Sequence, residues 1–286
     1  MNQLSDQRHL AECGSHPMDE RFSRRSGLKA GIAAGAALVL GERQSGAQQG
    51  PTAPEKPAWR PSPLVLDRKD TALVVIDPQN EALSEKGLNW EMLADSVKEN
   101  NTVENLTRLF KAAKDRDFGV FISPHYLYPH DQAWRYGGAV EKMMLDGKEF
   151  WRPGPLDLEG FPGSGADWLG RYKPYIEDGK TVVVSPHKVW GPQTNDLVLQ
   201  LRKRGVNKVI LAGMLANLCV ESHLRELLEQ GFEVAVVKDA TAGPRHPELG
   251  DGYKAAVINF GFLANAVLTT DAAVKAIRGA TAPQGN

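Results

Sequence analysis

Cysteine is scarce in this 286-residue chain: only Cys13 and Cys219 occur. That excludes a disulfide-stapled scaffold. An excess of either charge is also lacking, with 34 Lys+Arg against 35 Asp+Glu. Such balance argues against a nucleic-acid binder, which carries a basic surplus. The apolar run Ala30 to Leu40 is about 11 residues, too short to span a bilayer comfortably. No G-x-G-x-x-G or P-loop pattern follows the first strand-like segment, so no nucleotide cofactor is expected. There is no internal repeat. What remains is a chain with 42% hydrophobic residues, suited to one large soluble α/β domain plus extensions.

The extensions lie at the N-terminus. Ser23-Arg24-Arg25-Ser26-Gly27-Leu28-Lys29 is a twin-arginine pattern, followed by the Ala/Gly-rich apolar run and by small residues at Ser45-Gly46-Ala47. Residues 1–47 therefore read as a Tat signal peptide, cleaved after Ala47, although Gly27 stands where Phe is more usual. The mature protein is expected in the periplasm, exported already folded and without stable membrane association. Residues 48–63 hold prolines at 51, 54, 57, 61 and 63 and read as an extended linker. A single domain is expected over 64–280.

Within that domain, apolar runs alternate with helical spacing. Strands are expected at Thr71–Ile76, Gly119–Ser123, Thr181–Ser185, Lys208–Ala212, Glu233–Val237 and Ala266–Thr269. Helices are expected within 93–115, 196–204, 219–230, from Tyr253 to Phe260, and up to about Ile277. This alternation predicts βαβ units and a doubly wound, three-layer α/β/α sandwich with a mostly parallel six-stranded sheet. Residues 124–180 form a long, aromatic-rich insertion between the second and third strands. A crossover of that length acts as a lid, pocket wall or subunit contact, or else merely covers the sheet edge.

In open sheets of this kind, ligands bind at the carboxyl ends of the strands. Three chemically capable residues lie just past strand ends: Asp77, Lys188 and Cys219. A lone cysteine is most often a small buried hydrophobe. Cys219, however, sits where a strand turns through Gly213 into a helix, and a helix start favours thiolate over thiol. A carboxylate can take the thiol proton, and a lysine can hold the thiolate and orient the carboxylate.

With these residues placed, the chain resembles the isochorismatase-like cysteine hydrolases, which include nicotinamidases and N-carbamoylsarcosine amidohydrolases. The resemblance covers about 64–277. It is carried by Asp77-x-Gln79-Asn80, by Lys188 leading to Thr194-Asn-Asp-Leu197, and by Gly213-x-x-x-Asn217-x-Cys219-Val220-x-x-x-x-Arg225. It implies a catalytic triad of Asp77, Lys188 and Cys219. It also implies a non-proline cis peptide from Met214 to Leu215, with the N–H groups of Leu215 and Cys219 forming an oxyanion hole. The implied chemistry is attack of the thiolate on an amide or carbamoyl carbonyl, departure of the amine, and hydrolysis of a thioester.

The resemblance has gaps. Ala216 stands where the family often has threonine. Nicotinamidases bind a metal through Asp-x-His…His. Here His125 and His130 are present, but Ser123 takes the aspartate position, so no metal is expected. The two histidines are expected at the pocket rim or in the insertion. Gln79, Asn80, Tyr126 and Trp190 are candidate substrate contacts. His223, one helical turn beyond Cys219, is expected to pack, and His187 is expected to point away from Lys188. Ether hydrolysis of the isochorismate type is disfavoured, because that branch generally does not use the cysteine. The alternative is a catalytically silent small-molecule-binding or redox-sensing protein using the same pocket. By resemblance, the assembly is a homodimer or homotetramer.

Overall fold

The computed structural model describes residues 64–280. The proposed signal peptide and proline-rich linker, with Cys13, lie outside the described residues.

The chain runs β1 (Thr71–Ile76), α1 (Asn80–Leu83), α2 (Trp90–Glu99), α3 (Thr102–Asp115), β2 (Gly119–Ser123), α4 (Ala139–Gly147), α5 (Lys173–Ile176) and β3 (Val182–Val183). It continues through α6 (Leu197–Lys203), β4 (Lys208–Gly213), α7 (Glu221–Glu229), β5 (Glu233–Val237), the short pair β6 (Arg245–His246) and β7 (Gly250–Asp251), α8 (Gly252–Leu263), β8 (Ala266–Leu268) and α9 (Thr270–Gly279). Six strands form one parallel sheet in the order β3-β2-β1-β4-β5-β8. The chain first winds from β1 towards β3, then restarts at β4 on the other side of β1. The crevice between the carboxyl ends of β1 and β4 is thus the switch point of the sheet, where such folds bind ligands.

The central strands are continuous apolar runs because both their faces are covered. Leu73, Val75, Ile122 and Ile210 pack under α3 and α9, against Leu106, Phe110, Val274 and Ile277. Val74, Ile76, Phe121 and Leu211 face Leu201, Leu224 and Phe260 from α6, α7 and α8. Each large side chain fully buried this way contributes about 1.5–3 kcal/mol. The three-layer sandwich read from the sequence is the observed fold.

Two elements differ from expectation. The helical stretch 93–115 is divided at Asn100–Asn101, where Asn101 adopts φ 49°. Asn105 Nδ2 donates to the carbonyls of Asn100 and Asp239, both at 2.9 Å, tying the break to the loop after β5. The third strand is shorter than the apolar run 181–185, but its pairing continues past the strand: Val184 N donates to Ile122 O at 3.0 Å, and His125 and His187 form an isolated parallel bridge.

Candidate active site

Gly213 closes β4 at φ 116°, opposite Ile76. A Cβ there would lie 2.0 Å from Ile76 O, so only glycine lets the two strand ends meet. Met214 N then donates to Ile76 O at 2.9 Å, and the peptide from Met214 to Leu215 is cis. Residues Ala216–Val220 make a single π-type turn that runs into α7, a geometry often found at functional sites. It presents Cys219 to Asp77, which follows β1 in the left-handed region at φ 48° and whose N–H is held by Ser123 O at 3.1 Å.

Asp77 and Cys219 are both buried, 2% and 5% exposed. Burial raises the Asp77 carboxyl to about 6, against lowering by the neighbouring His125 and His223 and by hydrogen bonds from Cys219 and the His125 backbone. Burial, then the negative charge of Asp77 and the hydrogen bond to it, push the Cys219 thiol well above its usual range. The backbone N–H groups of Leu215 and Cys219 pull the other way. The helix start favours thiolate, as expected, but burial beside Asp77 outweighs it. The resting pair is a thiol donating to a carboxylate, because desolvation penalises a second anion beside the first. Those same two N–H groups are the ones expected to face an oxyanion.

The third expected member is corrected. Lys188 is not paired with Asp77 or Cys219. Its Nζ lies 2.6 Å from Asp131 Oδ2 and donates to Tyr126 O at 3.2 Å, over the ring of Tyr128. His187 takes the place beside the carboxylate instead, with Nε2 2.9 Å from Asp77 Oδ1. The cause is strand parity. Pairing of His125 with His187, and the bond from His187 N to Pro124 O at 3.0 Å, keep the backbone extended here, and side chains alternate along it. His187 points into the site and Lys188 away. With Asp77 ionised, the shared proton sits on His187 Nε2, since a carboxylate can only accept. Burial lowers the imidazoles of His125, His187 and His223 to about 3, so all three are neutral at ordinary pH.

His223 is a scaffold residue as expected: its ring nitrogens lie 2.7 Å from Cys219 O and 2.9 Å from Ser123 Oγ. Asn195 Nδ2 donates to the same hydroxyl at 2.9 Å. Ser123 therefore supports the cysteine turn and contributes no metal ligand. His130 is exposed, with its Nε2 3.4 Å from Asp131 Oδ1. Among the described residues, the group that could hold a metal ion is Asp77, His125, His187 and Cys219, whose donor atoms lie within 4.8 Å of one another.

Of the candidate substrate contacts, Trp190 lines the cavity above Cys219. The other three do not. Gln79 is fully buried and braces the insertion, its Nε2 donating to His125 O at 2.9 Å and Ala166 O at 2.8 Å, while its Oε1 accepts from His125 N at 3.0 Å. Asn80 Nδ2 donates to Ser164 O at 2.9 Å. Tyr126 is buried against Phe161 and Trp168 under the guanidinium of Arg152. These polar groups are spent on holding the insertion down, because a buried polar side chain must find a partner. The insertion itself is a pocket wall: Val140, Met143, Met144, Glu149 and Phe150 line the cavity with His125. His125 lies deep in the cavity rather than at its rim, stacked on Phe150, and its Nε2 has no protein partner.

Comparison with known proteins shows the family and the fold. The isochorismatase domain family matches residues 71–272, and the chain belongs to that family. It is 29% identical over 247 residues to the ureidoacrylate amidohydrolase RutB of Variovorax paradoxus, covering 82% of this chain and 91% of that protein. Two solved structures share the fold. The cysteine hydrolase of Pseudomonas syringae pv. phaseolicola superposes with TM-score 0.62 at 18% identity, covering 76% of this chain and 97% of that one. The N-carbamoylsarcosine amidase of Thermoplasma acidophilum gives TM-score 0.52 at 18% identity, covering 71% and 97%.

Proposed function

For this member of the isochorismatase family, we propose hydrolysis of the C–N bond of a small non-peptide amide or ureide, with Cys219 as nucleophile and a thioester intermediate. The observation that carries the reading is the buried pairing of Cys219 with Asp77 beneath an apolar cavity, beside the N–H groups of Leu215 and Cys219. The named activity of the RutB relative, an amidohydrolase, supports the same bond class.

In this mechanism Asp77 takes the Cys219 proton as sulfur attacks the carbonyl carbon. The charge that develops on oxygen is met by the two backbone N–H groups, donors that need no reorganisation at the moment of reaction. The C–N bond breaks, and the amine departs with the proton from Asp77. Water, deprotonated by Asp77, then cleaves the thioester and returns the thiol. His187 takes the orienting place that the resemblance gave to Lys188: its Nε2–H fixes one oxygen of Asp77 and leaves the other for Cys219. The unpartnered His125 Nε2 is available to the substrate amide.

The working form is proposed to be a periplasmic homodimer or homotetramer, released from its signal peptide. Burial of Cys219 at the base of the cavity suits a thiol that must stay reduced outside the cytoplasm. The direct test is mass spectrometry of the mature protein during turnover of amides, ureas and carbamates. An acyl adduct on Cys219, absent in Cys219→Ala, is expected. Undiminished turnover by a folded Cys219→Ala protein would rule the mechanism out.

A further inference from the structure

The cavity above Cys219 has an uneven composition. Met92, Met143, Met144 and Met214 all line it, and they are all the methionines among the described residues. Methionine is unbranched and polarisable, and it moulds to irregular apolar partners. The cavity volume is about 90 Å³, smaller than the ~150 Å³ that admits benzene. Its acyl guest is therefore small.

The polar lining is lopsided too. Beyond Asp77, His125 and Cys219 it consists of Asn89 and Glu149. Glu149 is 5% exposed and its Oε2 has no partner. No lysine or arginine lines the cavity among the described residues. Arg245 borders an adjoining depression that shares Met92, Val140, Leu218 and Pro244 with it, but its guanidinium is already engaged by Asp95, Glu99 and Asp251. A substrate carboxylate entering here would lose its water, meet two acidic residues and find no cation.

We propose that this pocket selects small uncharged amides with an apolar acyl group, held by the four methionines, and that Glu149 is the specificity residue that turns carboxylate-bearing amides and ureides away. The reaction rests on the hydrolase reading above; the charge selectivity does not, since a thiol that performs no hydrolysis would show it as well.

Alkylation of Cys219 at pH 8 by iodoacetamide and by iodoacetate tests the selectivity without turnover. The ratio of the two rates is compared with the ratio for glutathione. It should exceed the glutathione ratio at least tenfold. Glu149→Gln should raise the iodoacetate rate at least threefold and leave the iodoacetamide rate nearly unchanged. Met143→Lys, at a half-exposed wall position where folding is not at stake, should lower the ratio at least threefold. Hydrolysis of butyramide and of succinamate, its carboxylate counterpart, gives the second arm, with kcat/KM at least tenfold higher for butyramide. A labelling ratio no greater than that of glutathione, or succinamate cleaved as well as butyramide, overturns the selectivity while leaving the hydrolase reading intact. Selective labelling with no amide of either kind cleaved supports the selectivity and counts against the hydrolase reading. No labelling by either reagent sinks both.

Discussion

Nε2 of His187 lies 2.9 Å from Oδ1 of Asp77, while the ammonium of the next residue, Lys188, is 2.6 Å from Asp131. Two adjacent side chains thus serve opposite sides of one extended segment. The first holds the Asp77 carboxylate, and the second clamps the start of the insertion.

Kinetics should separate them. His187→Ala should lower kcat/KM by about 10²–10⁴-fold, the range lost when a positioned acid–base pair is disrupted. Lys188→Met should keep kcat within a fewfold of the parent. Its cost should appear in stability, because Asp131 is 3% exposed and would be left buried without its cation. A loss of about 3 kcal/mol is expected in chemical denaturation. Comparable kcat losses in both variants, with unchanged stability in Lys188→Met, would restore the lysine to the centre.

This swap marks where sequence reading stopped. The sheet was legible because its central strands are buried on both faces and so are written as unbroken apolar runs, as in Thr71–Ile76. Asp77 was legible because it directly follows such a run, and Cys219 because it lies where the run ending at Gly213 turns into a helix. Choosing between His187 and Lys188 required the parity of an extended segment, fixed by the bridge to His125, which residue type does not encode. Gln79 and Asn80 looked like substrate contacts because they are polar and adjoin Asp77; the long-range carbonyls that claim them appear only in three dimensions. The wall from α4 was hidden for a related reason. Nothing in the spacing of Met143 and Met144 says that they will line the cavity.

The pH profile follows from Asp77. Its carboxyl must be ionised to take the thiol proton, and burial raises it to about 6. kcat/KM should therefore fall below about pH 6 with a limiting slope of one. Since the Cys219 thiol titrates well above its usual range, no second limb should appear near pH 8–9. A profile flat down to pH 5 would show that Asp77 is not the base.

Stability in acid has a different origin. His125, His187 and His223 are lowered to about 3 from 6.5. The unfolded chain therefore binds their protons first as pH falls below 6.5, and stability drops. Asp77, raised from 3.8 to about 6, acts in the opposite sense, because the folded state takes its proton first. Near pH 5 the three histidine protons favour unfolding and one aspartate proton opposes it, a net of about two. Stability should then fall by about 2.7 kcal/mol per pH unit. Urea unfolding at pH 5 and 6 measures this slope. Stability unchanged across that interval would mean that the histidines are accessible to protons in the folded state.

Asp77→Asn isolates the cost of the buried Asp77 charge. The carboxyl is raised by about two units on folding, so its ionised form destabilises the native state by about 3 kcal/mol above pH 7, and the penalty vanishes below the unfolded value near 4. Asparagine keeps the shape and removes the charge, and His187 can still be bonded through its other tautomer. The variant should be inactive yet melt several degrees higher at pH 8, with little difference from the parent at pH 4. If it melts lower at pH 8, the hydrogen bonds that Asp77 accepts as an anion outweigh the burial of its charge, and the raised pKa on which the activity profile depends must be abandoned with it.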